Sequence, residues 1–239
     1  MISSFVTTTT KKKSAIRSND PVVLLENELL YNEQFPVSVE AQHVDYLIPF
    51  GKAKIEVEGS HVTIVSFSRQ VSNCIKAAAE LQKEGISAEI LNLRSIRPLD
   101  VETLVASVKK TNRCVTVEEG WTSFGVGAEI TALLNECKMH ANFFCLFLRN
   151  RRRMNNETNS NEQMNVDAFD YLDAPVERVT GADVPMPYSK AIEDLAMVQV
   201  NNIVQRNIQK THSKNVSQTK GRRKKRKKNR NSTYQFLSK

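Results

Sequence analysis

Glu118 and Glu119 are adjacent carboxylates that directly follow the β-branched run Arg113 to Val117, RCVTV. Paired carboxylates can act as general acid and base, and the ends of strands in open α/β sheets are where such groups commonly stand. Consecutive residues on a strand point to opposite faces, however, so these two cannot act on one atom. Capping the next helix or anchoring a loop is the expected work of each. A little further on, Gly125-Val126-Gly127 opens a helical pattern and could present N–H groups to a phosphate. Ile130 stands where the third glycine of a dinucleotide fingerprint belongs, and no acidic ribose partner follows a second strand. Close packing of helix against sheet is therefore the expected reason for these glycines.

The remaining reactive side chains are scattered. His43, His61, His140 and His212 form no i, i+4 pair and no cluster with Cys or Asp, so surface or core roles are expected. Cys74, Cys114, Cys137 and Cys145 lack paired ligand spacing and sit mostly in apolar runs, which suits reduced core thiols. The longest apolar run, Phe143 to Leu148, is far short of the roughly 20 residues that span a bilayer. The formal charge of +8 is unevenly placed: from Arg206 onward there are 13 Lys or Arg and no acid, which leaves 21 basic against 26 acidic residues before it. The body is mildly acidic and carries a basic tail.

The elements that must hold these residues follow from hydrophobic period. His61 to Ser66 (HVTIVS) reads as a buried strand, after which Val71, Cys74, Ile75, Ala78 and Leu81 share one helical face that stops at Gly85. Ala88 to Leu93 (AEILNL) is a second strand. Beyond Pro98, Asp100 caps a helix with Glu102 in its first turn, Lys109 and Lys110 in its last, and Val101, Leu104, Val105 and Val108 facing inward. Arg113 to Val117 is a third strand and Gly127 to Glu136 a third helix. This alternation predicts a parallel sheet covered on both faces, joined by a further strand at Val176 to Thr180.

Leu172 to Tyr188, LDAPVERVTGADVPMPY, places Pro175, Pro185 and Pro187 around that last strand, giving a turn, a strand and a rigid extended segment that holds its shape against something. Pro21 to Glu26 (PVVLLE) reads as an isolated apolar strand, the last of a domain whose beginning is missing. Residues 137 to 165 hold six Asn from position 150 on and a cluster of four Arg, without periodicity after Leu148, so loop or disorder is expected. The tail has seven consecutive basic residues from Arg222 to Lys228 and is expected to be unstructured. Its charge suits phosphate binding or nuclear import, but it lacks interleaved aromatics before Tyr234, and translated noncoding sequence or a divergent gene copy is the favoured origin of both insert and tail. The first 19 residues carry no acid and weakly resemble a transit peptide, though no amphipathic Arg-bearing stretch precedes Lys11. They read as an atypical start and not an address.

Several long motifs, SAIRSNDPVVLLENELLY from Ser14, DYLIPFGKAKIE, LNLRSIRPLD, TVEEGW, FGVGAEI and AFDYLDAPVERVTGADVPMPYSK, occur in one collinear order. Together they closely resemble the carboxyl-terminal part of the beta subunit of pyruvate dehydrogenase, the thiamine-diphosphate-dependent decarboxylating component of its complex. GADVPMPY is more like the pyruvate enzyme than its branched-chain oxoacid relative. The resemblance implies a transketolase carboxyl-terminal-like α/β fold: a three-layer sandwich with a mostly parallel sheet and helices on both faces, plus a disordered insert and basic tail. It further implies a remnant of an upstream cofactor domain and linker over 1–50, the transketolase-like domain over 51–205 with its insert at 137–165, and a tail over 206–239.

The function implied is that of an oxidoreductase, pyruvate dehydrogenase (acetyl-transferring), which decarboxylates pyruvate on thiamine diphosphate and passes the acetyl unit to lipoamide for acetyl-CoA formation in the mitochondrial matrix. The family's glutamate on the aminopyrimidine and its active-site histidine belong to the upstream domain and have no counterpart here. This chain is thus expected to supply no catalytic and no thiamine-binding residue and to act in assembly. In the family an SAIRDNN segment curls around potassium; Ala15, Ile16, Ser18 and Asp20 hold those positions, with Ser18 replacing an Asp. Losing a carboxylate weakens a hard-cation site. Implied partners are the alpha subunit, a second beta subunit and dihydrolipoyl acetyltransferase, whose basic residues would meet Asp173 of LDAP, a residue whose plain alternative role is a turn before Pro175. Val198 replaces the family's proline ahead of the last helix, and the basic extension would crowd the same partner. A non-catalytic assembly or decoy module is the alternative reading, and a basic-tailed nucleic-acid binder the less favoured one.

Overall fold

A computed structural model of the chain describes residues 11–31, 39–135 and 168–211. The expected insert at 137–165, the start before Lys11 and the tail beyond residue 211 lie outside them. Short helices at 11–16 (α1) and Val39–Gln42 (α2) lead into β1 (Lys54–Val57), β2 (Val62–Ser66), α3 (Gln70–Lys83), β3 (Ala88–Asn92), α4 (Val101–Thr111), β4 (Cys114–Val117) and α5 (Val126–Asn135). Then come β5 (Glu177–Val179), α6 (Lys190–Ala196) and a helix over 200–211 (α7).

The strands form one sheet in the order β1-β3-β2-β4-β5. β3, β2, β4 and β5 run parallel, and β1 closes one edge antiparallel to β3 with a register break between Ile55 and Val57. Every residue of β2, β3 and β4 is buried, as a parallel sheet covered on both faces requires. On one face Val62, Ile64, Ile90 and Val115 pack under Cys74, Ala77 and Leu81 of α3 and Ile203 of α7. On the other, Val65, Leu91 and Cys114 pack under Leu104 and Val108 of α4 and Ile130 and Leu134 of α5. The helix stop after α3 is a left-handed Gly85, φ 74°, with Ile86 N–H closing onto the Leu81 carbonyl at 2.9 Å.

Asp100 caps α4 and also ties the chain before β1. Its carboxylate accepts from Thr103 N–H at 3.2 Å, Thr103 Oγ1 at 2.7 Å and Ala53 N–H at 2.8 Å. Burial pushes its carboxyl pKa up, but these hydrogen bonds outweigh burial and hold it below the ordinary value. The contribution is therefore present above the unfolded pKa and lost as pH falls through the lower folded value. Asp100→Ala is expected to lower stability by about 1–2 kcal/mol. Urea unfolding at pH 7 and pH 3 checks it, with the difference between the two proteins shrinking at the lower pH.

Two expectations are corrected. Pro21 to Glu26 forms no strand: it has no regular structure and joins no sheet among the described residues, with Val23 and Leu25 more than four-fifths exposed. An apolar, β-branched sequence makes a strand only where a neighbouring edge accepts its backbone. Residues 206–211, expected to open the tail, are helical: α7 runs on to residue 211. Its continuation is held by Asn207, fully buried, Ile208 against the core, and an Arg206 to Glu177 pair at 3.1 Å.

Lys11 in α1 is almost fully buried, and burial, with repulsion from Arg94, pushes its ammonium down to about 8 from 10.5. Between those values the unfolded chain holds the proton and the folded one does not, so stability rises with pH across that window and the penalty is complete below it. Lys11→Leu should add about 1–2 kcal/mol at pH 7 and flatten the alkaline rise, read by denaturant midpoints across pH 7 to 10.5.

Candidate functional site

The carboxyl ends of β4 and β5 are where the sequence concentrates its chemistry. Glu118, buried at the end of β4, turns toward α5 and accepts Gly127 N–H at 3.1 Å, capping that helix. The glycines are needed for contact: a Cβ on Gly125 would lie 2.5 Å from Glu118 Oε1, and one on Gly127 would lie 2.5 Å from Thr116 Oγ1. Close helix–sheet packing accounts for both, as expected. Glu119 turns the opposite way and accepts from Gln70 Nε2 at 3.0 Å, Arg69 Nη1 at 3.4 Å and Asn27 Nδ2 at 3.2 Å. It thereby fastens the segment before β1 to the start of α3. The carboxylates stand on separate faces with separate structural tasks, as strand alternation requires.

Asn27, Arg69 and Gln70 escaped sequence reading because their meeting point joins positions 92 residues apart. The same is true of Glu89 in β3, fully buried, which accepts from Ser107 Oγ at 2.5 Å and from Lys110 Nζ. Thr63 joins Ser107 and Thr111, each at 2.7 Å, completing a buried polar network between the sheet and α4. One signal was available: a glutamate inside a strand buried on both faces must have a partner.

Beyond these strand ends the loops are apolar and exposed. Trp121 and Phe124 follow β4, and Val184, Met186 and Tyr188 of the proline-framed segment follow β5, all exposed. Thr122 Oγ1 and Thr180 Oγ1 meet at 2.8 Å and join the two loops.

Ala15, Ile16, Ser18 and Asp20 span the end of α1 and the turn after it. The segment is fixed by Ser14, whose Oγ donates to the Ile48 carbonyl at 2.8 Å, and by Arg17 against Asp45 at 3.4 Å. Ser18 N–H takes the Ala15 carbonyl at 3.2 Å, and Ser18 Oγ accepts Asp20 N–H at 3.2 Å. A hard cation needs about six convergent oxygens, and of those in this segment the Ala15 carbonyl and the Ser18 hydroxyl already accept hydrogen bonds. Asp173 packs beside Arg113 of its own chain, Nη2 to Oδ2 4.0 Å, with its N–H on the Asn112 carbonyl at 2.9 Å. The carboxylate stays one-quarter exposed.

Burial pushes the Cys74 and Cys114 thiols up to about 12, which leaves them unreactive core groups; Cys137 and Cys145 lie outside the described residues. His61 Nδ1 accepts Ser87 N–H at 2.9 Å and His43 Nδ1 accepts Asp45 N–H at 3.3 Å, while His140 and His212 lie outside the described residues. Among the described residues no helix is long and apolar enough to cross a membrane.

Residues 51–148 and 149–203 match the family model for the transketolase C-terminal domain. Over 192 residues, 80% of this chain, the sequence is 55% identical to the mitochondrial pyruvate dehydrogenase E1 component subunit beta of Dictyostelium discoideum, of which the match covers 46%. It is 51% identical to the human and 52% identical to the Arabidopsis thaliana beta-1 counterparts over the same length, covering 45% of each. The chain thus spans about half the length of the curated relatives it matches. It belongs to the transketolase C-terminal domain family, and within that family its homologues are the beta subunits of the pyruvate dehydrogenase E1 component.

Proposed function

We propose that this chain supplies the transketolase-like part of a pyruvate dehydrogenase beta subunit, in an enzyme that decarboxylates pyruvate and transfers the acetyl unit to lipoamide in the mitochondrial matrix. The observation that carries this reading is identity of 50–55% with mitochondrial E1 beta subunits across 80% of the chain. The geometry agrees with a scaffold role, because Glu118 and Glu119, the carboxylates best placed for chemistry, are spent on capping α5 and on anchoring Asn27.

In the assembled enzyme thiamine diphosphate supplies the carbanion-stabilising chemistry, held by parts other than residues 51–205. This domain's own residues contribute rigid loops, with Trp121, Phe124, Met186 and Tyr188 offering the apolar surface on which an alpha subunit and a second beta subunit would close. The segment of Ala15, Ile16, Ser18 and Asp20 would contribute some of the oxygens of a potassium site completed by the rest of the enzyme. Asp173, already beside Arg113, would meet basic residues of dihydrolipoyl acetyltransferase and set register more than affinity.

Affinity capture from mitochondrial extract, with the full chain and with a chain ending at residue 211, tests the reading. Retention of the alpha subunit by both chains is expected. Capture by the full chain alone of RNA that salt releases, with no alpha subunit on either, would instead favour the basic tail as the working part.

A further inference from the structure

β5 ends the sheet among the described residues, and its outer edge opens into a groove of about 690 Å³ against α7. Glu118 N–H bonds the Val179 carbonyl at 3.1 Å and Gly181 N–H bonds the Gly120 carbonyl at 3.0 Å, so 179 and 181 direct their backbone groups toward β4 and its loop. Backbone direction alternates along a strand, which turns the N–H and C=O of Arg178 and Thr180 outward into the groove. No hydrogen bond among the described residues occupies them. At the next outward position the chain has already done what such an edge invites: Ala182 N–H bonds the Ala196 carbonyl at 2.9 Å, and Met197 beyond it is extended, φ −86°, ψ 153°. The groove continues that line past Thr180 and Arg178.

Its far wall is one face of α7, with Asn202, Gln205, Arg206 and Gln209 at i, i+3, i+4 and i+7. Two guanidiniums, Arg178 and Arg206, line the groove and no carboxylate does. Arg178 spends one donor on the Thr122 carbonyl at 2.9 Å and Arg206 one on Glu177 at 3.1 Å, leaving the rest of each five-donor fork available. The chain's own basic tail is the wrong sign to fill such a groove.

We propose that the groove takes an extended acidic peptide segment of a partner protein, added as a strand along β5. Main-chain bonds to Arg178 and Thr180 would give affinity, and acidic side chains of the peptide would meet the remaining donors of Arg178 and Arg206 that line the groove. The test is a titration of the ¹⁵N-labelled full chain with the blocked pentapeptide Val-Asp-Val-Asp-Val, followed by amide shifts. Shifts concentrated at 178–182 and 202–209 are expected. Two versions N-methylated on odd or on even residues should differ, one binding at least tenfold more weakly because it lacks the N–H groups facing β5. A Val-Lys-Val-Lys-Val peptide should also be at least tenfold weaker, and Arg178→Gln and Arg206→Gln should each weaken the acidic peptide while leaving the spectrum elsewhere unchanged. Absence of shifts in the groove, equal binding of both N-methylated versions, or equal binding of the lysine peptide overturns the proposal.

Discussion

Lys110→Ala is expected to destabilise the domain by about 3 kcal/mol, the scale for a buried carboxylate stripped of its counter-ion, as read by urea unfolding. Glu89 is completely buried in the middle of the sheet, and among the described residues the cation on it is the Lys110 ammonium, which reaches in from the last turn of α4 and also touches Glu58 at 3.2 Å. Lysine itself is two-fifths exposed and returns to water at little cost, so the asymmetry of the pair puts the penalty on the glutamate. Glu89→Gln should cost less, because the amide still receives Ser107 and keeps the Thr63 and Thr111 hydroxyls in place. In the Glu89→Gln background Lys110→Ala should then be nearly neutral, and a double-mutant cycle in urea should return a coupling above about 1 kcal/mol. The hydrogen bond to Glu89, and then that to Glu58, raises the lysine pKa. This contribution is accordingly complete below the unfolded value and fades as pH climbs through the folded one.

Gly59→Ala acts a few ångströms away and by a different route. A Cβ at Gly59 would stand 2.3 Å from the Ala88 carbonyl carbon and 2.3 Å from the Glu89 amide nitrogen. Both are backbone atoms of β3, which pairs on both sides, so neither can step aside without opening the sheet. A loss of about 3 kcal/mol is expected, or a fall in melting temperature of roughly 6–12 °C for a domain of this size. Gly85→Ala is the control: that glycine has open space around it and only its positive φ to oppose a side chain, so its loss should be near 1 kcal/mol. Calorimetry on the two variants separates collision from conformational strain.

What the sequence made legible follows the strength of its periodicity. β2, β3 and β4 are short runs dominated by apolar and β-branched residues, β3 lying between Gly85 and Pro98, and α3 and α4 carry a clear inward face with a stop or a cap, so type and place were readable. β1 was not, because it is an edge strand of four half-buried residues with a broken register, and only its pairing with β3 makes it a strand. The error at Pro21 to Glu26 is the mirror case, a sequence with strand composition and no edge to join. At the end of α7, counting charge hid packing: Asn207 and Ile208 face the core between basic residues, and Asn207 Oδ1 finds no hydrogen bond there. Within the site, the opposite facing of Glu118 and Glu119 was a matter of strand geometry and could be foreseen. Their partners Gly127 and Asn27 depend on how loops meet, and of these only the nearby glycine was in reach of the sequence.

The claim that these residues are scaffold and not catalyst is tested most directly by calorimetric titration of the purified, folded chain with thiamine diphosphate and magnesium, followed by a pyruvate decarboxylation assay of the same sample. The account predicts no saturable heat and no carbon dioxide release from the chain alone. Stoichiometric cofactor binding with turnover of pyruvate would contradict it.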